Sequence, residues 1–165
     1  MTAVTYIRRE NRLGKALGKP GGISFAKATE AAEANLASIR DEGVADVDRN
    51  MALLNRCAII AAMPDSPPSA RREVYAHANA IAGVAGCFGL SEVSEAAFSL
   101  CELTDGLIHA DRWSADAVSV HLSAMAMLRS PDLSGGEATR RAILKGLAEL
   151  GRRAPGLKDA SSGAC

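Results

Sequence analysis

The run Asn79-Ala80-Ile81-Ala82-Gly83-Val84-Ala85-Gly86-Cys87-Phe88-Gly89-Leu90 decides the fold of this chain, and it lies within a longer informative stretch, residues 74–103. It predicts a helix that ends at a glycine-marked turn, with a second helix starting at once. Apolar residues recur at the three- and four-residue spacing of a helix packed in a bundle. These residues are Val74, Ala78, Ile81, Ala85 and Phe88.

The reverse side of the same helix carries almost no bulk. At about 100° per residue, it presents Arg72, Ala76, Asn79, Gly83 and Gly86. Each glycine inside a helix costs roughly 0.5–1 kcal/mol relative to alanine. Two explanations are open: close helix–helix packing requires the glycines, or a partner must approach Asn79 and Gly83 clears its path.

These residues resemble a histidine-containing phosphotransfer (HPt) domain. The signature of that family is a helix with the pattern His-x-Leu-Lys-Gly-x-x-Gly-x-Phe/Leu-Gly, followed by a second helix with a Leu-Cys-x-Leu-like run. The matching residues are Ile81, Gly83, Gly86, Phe88 and Gly89, and then Leu100-Cys101-Glu102-Leu103. The resemblance is strong over residues 71–107 and looser over the remaining helices. Six predicted helices with short connections imply antiparallel neighbours, and together with the resemblance they predict an all-α, up-and-down antiparallel bundle with a four-helix core and about six helices in total.

The chain departs from the family at the position that matters most. Asn79 stands where the resemblance places the phosphoacceptor histidine, and Ala82 stands where it places a lysine. A neutral imidazole nitrogen is a nucleophile that can be tuned near neutral pH, whereas an amide nitrogen is conjugated with its carbonyl. The resemblance therefore implies a pseudo-phosphotransferase that is not itself an enzyme.

The resemblance also implies the partners and the binding residues. We expect a protein of two-component signalling that docks the receiver domain of a response regulator, and also a sensor histidine kinase. The expected binding residues are Arg72, Ala76, Asn79, Ala82, Gly83 and Gly86, with apolar rim contacts from the next helix. In family members the receiver supplies the metal site and most catalytic groups, so we expect no cofactor and no metal here.

Two alternatives remain open. His77 is an alternative phosphoacceptor, although it is rotated by about 200° from Asn79 towards the flank of the core stripe; its other interpretation is a boundary histidine interacting with Glu73, one turn back. The second alternative is a structural or dimerising helical module, because a fold does not fix a function.

Glycine, proline and capping residues divide the chain. We expect an irregular arm over 1–23, one helical bundle domain over 24–151 and a flexible tail over 152–165. Ser24 is expected to cap the first helix, which Gly43 breaks, and Ser91 to cap the fourth. The first helix has an apolar stripe of Phe25, Ala28, Ala32, Leu36 and Ile39, and the fifth has one of Ala117, Val120, Ala124 and Leu128.

Composition limits the remaining function classes. The 19 basic and 19 acidic residues cancel, so no basic surplus favours nucleic acid. No segment has the uninterrupted apolar run of a membrane helix. The four cysteines fit no zinc motif or redox pair, and those within the predicted helices are expected to be small buried side chains. We therefore expect reduced thiols in a cytoplasmic protein, and a monomer rather than a dimer.

Overall fold

The computed structural model describes residues 22–153, which contain six α-helices and one short 3₁₀ turn but no strand. The helices are α1 (Phe25–Ser38), α2 (Arg40–Ala61), α3 (Pro68–Val84), α4 (Ser91–His109), α5 (Ala115–Arg129) and α6 (Gly136–Arg153), and the 3₁₀ turn (Ala85–Phe88) joins α3 to α4. The expected all-α helical bundle is confirmed. The predicted arm up to residue 21 and the predicted tail from residue 154 lie outside the described residues.

The chain divides after Ala37 into two compact units. The described part of the first unit is α1, whose start is capped as expected: the backbone N–H of Lys27 donates to Ser24 Oγ at 3.3 Å. No residue of α1 is buried. Its predicted apolar stripe is largely exposed, and the Phe25 side chain is 88% exposed.

The second unit is a helix bundle built from α2 to α6. α3 packs against α2 on one side and α4 on the other, α5 packs against α4 and α2, and α6 lies against α4 and α5. α3 and α5 therefore occupy diagonal corners of a four-helix core. That core is apolar, and its fully buried large side chains include Leu54, Ile81, Leu100, Leu103, Leu107 and Met125.

Gly43 does not break a helix, contrary to the expectation from sequence. The boundary lies at Ser38–Arg40, and Gly43 is buried in the first turn of α2. The Phe88 ring lies directly against it, since a Cβ built on Gly43 would come 2.2 Å from Phe88 Cζ. This glycine thus permits the 3₁₀ turn to approach α2 closely, which is a tertiary requirement.

The predicted stripe of α5 is wrong at one position. Val120 is 51% exposed, whereas the next residue, His121, is fully buried. Because a carbonyl oxygen only accepts, His121 Nδ1 donates to the Ala117 carbonyl at 2.9 Å. Nε2 lies 3.1 Å from Ser99 Oγ on α4, so a neutral imidazole satisfies both nitrogens and tolerates burial.

Two smaller predictions also need correction. Ser91 is the first residue of α4 and not its N-cap; its Oγ donates to Glu92 Oε2 at 3.0 Å. Among the described cysteines, Cys57 and Cys101 are buried as expected but Cys87 is exposed. Burial raises the pKa of the Cys101 thiol to about 11, so this thiol stays protonated at neutral pH.

Candidate docking face

The two sides of α3 differ as the sequence predicts. Val74, Ala78, Ile81 and Ala85 are completely buried, and Phe88 is half-buried against Gly43. This stripe packs α3 into the bundle between α2 and α4. The opposite side of α3 must therefore face outwards, because a helix can bury only one stripe in such a position.

The outward side carries the six residues that the resemblance assigns to partner binding. We call them the Asn79 face: Arg72, Ala76, Asn79, Ala82, Gly83 and Gly86. Five of them are exposed, and only Ala82 is half-buried. The Asn79 side chain makes no hydrogen bond within residues 22–153, so its amide is free to meet a partner. Arg72 is the only charged member of this face.

Packing does not explain the glycines of the Asn79 face. A Cβ built on Gly83 meets no atom of the described chain within 4 Å, and one built on Gly86 comes only to ordinary contact, 3.8 Å from Ser94 Oγ. Neither position needs glycine for a neighbouring helix to fit. Gly83 instead leaves open space one turn from Asn79, as the access explanation requires.

The turn after α3 sets the position of α4 beside the Asn79 face. Gly89 adopts a φ of 82°, which favours glycine, and the Leu90 N–H donates to the Ala85 carbonyl at 3.0 Å. Ser94 Oγ then donates to the Ala82 carbonyl at 2.7 Å. The first turns of α4 are thereby fixed against the last turns of α3.

Sequence analysis did not single out two exposed aromatic side chains, Tyr75 and Phe98, which lie one helical turn from Asn79 and from Ser94 respectively. Phe98, one turn after Ser94 on α4, is 59% exposed, and Tyr75, one turn before Asn79 on α3, is 37% exposed. Phe98 lies off the predicted core stripe of its helix, so the helical period alone indicates that it points outwards. Large aromatic side chains next to small residues often contribute most of the binding energy of a docking face.

His77 lies on the flank of α3 that contacts α2, as the sequence predicts, but its partner is not Glu73. Asn50 Nδ2 donates to the Asp46 carbonyl at 3.0 Å, which leaves Asn50 Oδ1 facing His77 Nδ1 at 3.1 Å. Nδ1 therefore carries the proton in the neutral ring. The half-buried His77 links α3 to α2, and its Nε2 is the nitrogen without a partner in the described part of the chain.

Glu73 instead meets a cysteine of α2. Cys57 Sγ lies 3.5 Å from Glu73 Oε2. Burial raises the pKa of the Cys57 thiol, and the nearby carboxylate raises it further, so this thiol is a poor nucleophile. No cluster of three His, Cys, Asp or Glu residues suited to a metal ion occurs between residues 22 and 153.

Comparison with known proteins gives no match among protein-family models, curated proteins or solved structures. Within residues 22–153, no helix combines the length and the apolar character needed to cross a membrane.

Proposed function

We propose that this chain is an HPt-like protein of two-component signalling, which docks the receiver domain of a response regulator through the Asn79 face and accepts no phosphoryl group. The observation that carries this proposal is the exposure of Asn79 on a face of small residues, opposite the buried stripe of α3. The resemblance assigns this position to the phosphoacceptor. The space beside Gly83 lets a partner's active site come close to it.

The chemistry of the amide supports docking without transfer. An acceptor must place a lone pair on phosphorus while the aspartyl carboxylate of the receiver leaves. The Asn79 amide has no such lone pair on nitrogen, because it is delocalised into the carbonyl. The bound receiver would keep its phosphoryl group, and the chain would compete with transfer-competent partners for the same surface.

The surroundings of Asn79 suit a protein partner. Phe98 and Tyr75 supply apolar area at the border of the face, and Arg72 supplies a positive charge, which favours association with an acidic surface at low salt. Aromatic and arginine side chains are the residues that most often dominate binding energy. The cytoplasmic location expected from the sequence belongs to this same proposal.

Binding is tested by titrating a panel of isolated receiver domains into the full chain by calorimetry. Gly83→Gln would place a side chain on the Asn79 face, and we expect the dissociation constant of a binding receiver to rise about tenfold or more. Gly151→Gln is the matched control, since a Cβ at either glycine meets open space. Equal affinities of the two variants, or no binding to any receiver, would contradict the proposal.

Loss of transfer is tested separately with a binding receiver that has been phosphorylated. We expect no acid-labile phosphate on this chain after incubation. Label on a histidine would overturn the claim of lost transfer, and a label abolished by His77→Gln would establish the alternative acceptor. The unpartnered Nε2 of His77 is the nitrogen that such an alternative would use.

The structural-module alternative predicts a different use of the Asn79 face. If the chain were only a dimerising bundle, a constitutive dimer would bury that face. Sizing the protein with and without a receiver, and mapping the contact on α3, separates these possibilities.

A further inference from the structure

The Asn79 face offers hydrogen-bond donors and no negative charge. The Asn79 amide carries two N–H donors beside its carbonyl oxygen. Asn79 is exposed, and its side chain makes no hydrogen bond to any residue that the structure describes. Arg72 is the only charged member of the face. An anion can therefore reach the amide without breaking an existing hydrogen bond and without meeting a carboxylate of the face.

The acidic side chains closest to Asn79 along α3 and α4 are directed elsewhere. Glu73 is the only acidic residue of α3, and its carboxylate lies 3.5 Å from a cysteine sulfur on α2. Glu92 and Glu95, in the first two turns of α4, line a groove between α4 and α6. Glu102 comes two turns after Glu95. The fold thus keeps the carboxylates that flank the α3–α4 turn away from the Asn79 face.

The proposed docking function sets the Asn79 amide opposite the phosphoryl group of the receiver. Position 79 is where an acceptor would meet the phosphorus of the aspartyl phosphate. A phosphoryl group carries a charge of about −1.5 to −2 and three acceptor oxygens at neutral pH. Hydrogen bonds to such an ionised acceptor are roughly twice as strong as those between neutral groups. In the unphosphorylated receiver, the aspartate carboxylate lies deeper by one phosphoryl group, so the amide does not reach it.

Open space beside Asn79 permits this close approach. A Cβ built on Gly83 meets no atom of the described chain within 4 Å, so no side chain stands between the amide and a partner one turn further along α3. The amide nitrogen cannot attack phosphorus, because its lone pair is delocalised into the carbonyl. The contact therefore ends in a hydrogen bond and not in a covalent bond.

We propose that the Asn79 amide selects the phosphorylated form of the receiver by donating a hydrogen bond to a phosphoryl oxygen, and that the bound chain preserves the aspartyl phosphate. This inference rests on the docking function proposed above. Water hydrolyses an aspartyl phosphate by attacking phosphorus in line with the bond to the leaving aspartate oxygen. The docked amide occupies that line and excludes the water. The chain thereby holds its receiver in the phosphorylated state.

Selection is tested by calorimetry of the full chain with a receiver that binds it. The receiver is used unmodified and loaded with beryllium trifluoride, a stable mimic of the phosphoryl group. We expect the loaded form to bind about tenfold more tightly or better. Asn79→Asp keeps the shape of the side chain but replaces its donors with negative charge, so it should abolish the preference. Asn55→Asp, the same change at an exposed position of α2, is the matched control and should retain it.

Equal affinity of the parent chain for the two forms, or a preference that survives in Asn79→Asp, would overturn the inference and leave the docking function standing. Binding of neither form to the parent chain would refute the docking function and the inference with it. These two failures are therefore distinguishable in one titration series.

Preservation is tested by the release of orthophosphate from a receiver phosphorylated with acetyl phosphate. We expect a saturating amount of the parent chain to slow this release by on the order of tenfold, and the Asn79→Asp variant at the same concentration to leave the rate unchanged. Unchanged release from the receiver bound to the parent chain would overturn the inference. Faster release, lost in Asn79→Asp, would also overturn it, because the amide would then orient the attacking water.

Discussion

Gly43 and Gly83 are both glycines inside helices of one bundle, yet their surroundings are opposite. The Phe88 ring fills the space where a Cβ of Gly43 would lie, at 2.2–2.5 Å, whereas the space beside Gly83 is empty. A glycine in a helix is costly in either case. Close packing against Phe88 offsets that cost at Gly43, whereas no packing contact offsets it at Gly83.

Alanine substitutions at these two glycines should therefore have opposite effects. We expect Gly43→Ala to lower the free energy of unfolding by about 1–3 kcal/mol, because Phe88 must move. Gly83→Ala should raise it by up to about 1 kcal/mol through helix propensity alone. Urea unfolding of the two variants beside the parent measures both effects. A Gly83→Ala variant less stable than the parent would show that Gly83 has a packing role.

His121 makes stability depend on pH. Burial lowers the pKa of His121, and the hydrogen bond to the Ala117 carbonyl offsets part of that effect. Above about pH 6.5 the ring is neutral in both the folded and unfolded chains. Below that pH the unfolded chain takes up a proton that the folded chain resists, so stability falls by up to about 1.4 kcal/mol per pH unit.

We expect His121→Gln to remove this pH dependence, even if the variant is less stable overall. The measurement is the free energy of unfolding between about pH 7.5 and about pH 5.5, compared as a slope. His109→Gln is the control, since His109 is an exposed histidine at the end of α4. An unchanged slope in His121→Gln would assign the acid sensitivity to other groups.

Sequence predicted the outward position of Asn79 but placed Val120 inwards, and the reason lies in the two helices. In α3, large and small side chains alternate with the helical period, so one face is distinguishable from the other. In α5, both sides are apolar, and the period cannot decide which residue turns inwards. His121 can be buried because its Nε2 meets Ser99 on another helix. A local sequence pattern does not reveal that contact.

At the scale of elements, a side chain of α6 completes the end of α5. Arg140 Nη1 donates to the Leu128 carbonyl at 2.8 Å, and Nη2 lies 3.4 Å from the Ser130 carbonyl. The last carbonyls of a helix have no partner within it, and a cation also interacts favourably with that end. Arg140 thus joins α6 to α5 across their connecting loop.

Replacing Arg140 should loosen this connection more than replacing its neighbour. We expect Arg140→Met to lower the free energy of unfolding by about 1–2 kcal/mol, because it removes charge-assisted hydrogen bonds. Arg141, also on α6, pairs with Glu137 of the same helix on the exposed side, so Arg141→Met should change stability by less than about 0.5 kcal/mol. Equal losses, measured by urea unfolding, would contradict the role given to Arg140.

The helix boundaries can be predicted from sequence where neighbouring residues in the chain determine them. They cannot be predicted where a tertiary contact determines them. Proline marks the end of α2, and serine marks the start of α5, where Ser114 Oγ accepts from the Ala117 N–H at 3.4 Å. The boundary between α1 and α2 does not follow from the sequence, because Gly43 has the local pattern of a helix breaker and yet lies inside α2. Position 43 requires glycine because the Phe88 ring, 45 positions later in the chain, lies against it. Spacing along the sequence does not predict that contact.

At the scale of the whole molecule, the predicted bundle class needed only helical periodicity and short connections. The outer sides of its two diagonal helices nevertheless differ. The outer side of α3 has small residues around one free amide, and that of α5 has uncharged apolar residues beside a groove. The docking proposal was available from the sequence through a resemblance, whereas the groove needed the structure, because it combines α5 with α6.

Restoring the missing nucleophile is the sharpest test of the proposed docking function in the intact molecule. In Asn79→His, the α3–α4 hairpin and the open space beside Gly83 are unchanged, so an imidazole would occupy the docking face. Its unprotonated nitrogen could attack the phosphorus of a bound receiver and release the aspartate carboxylate. We expect Asn79→His to gain acid-labile phosphate from a phosphorylated receiver that binds the parent, and Asn79→Gln to gain none. Adding His77→Gln to Asn79→His should leave the label in place. Loss of the label in that double variant would show that His77 takes up the phosphate. Tight binding of Asn79→His without any label would show that position 79 does not meet the receiver's active site.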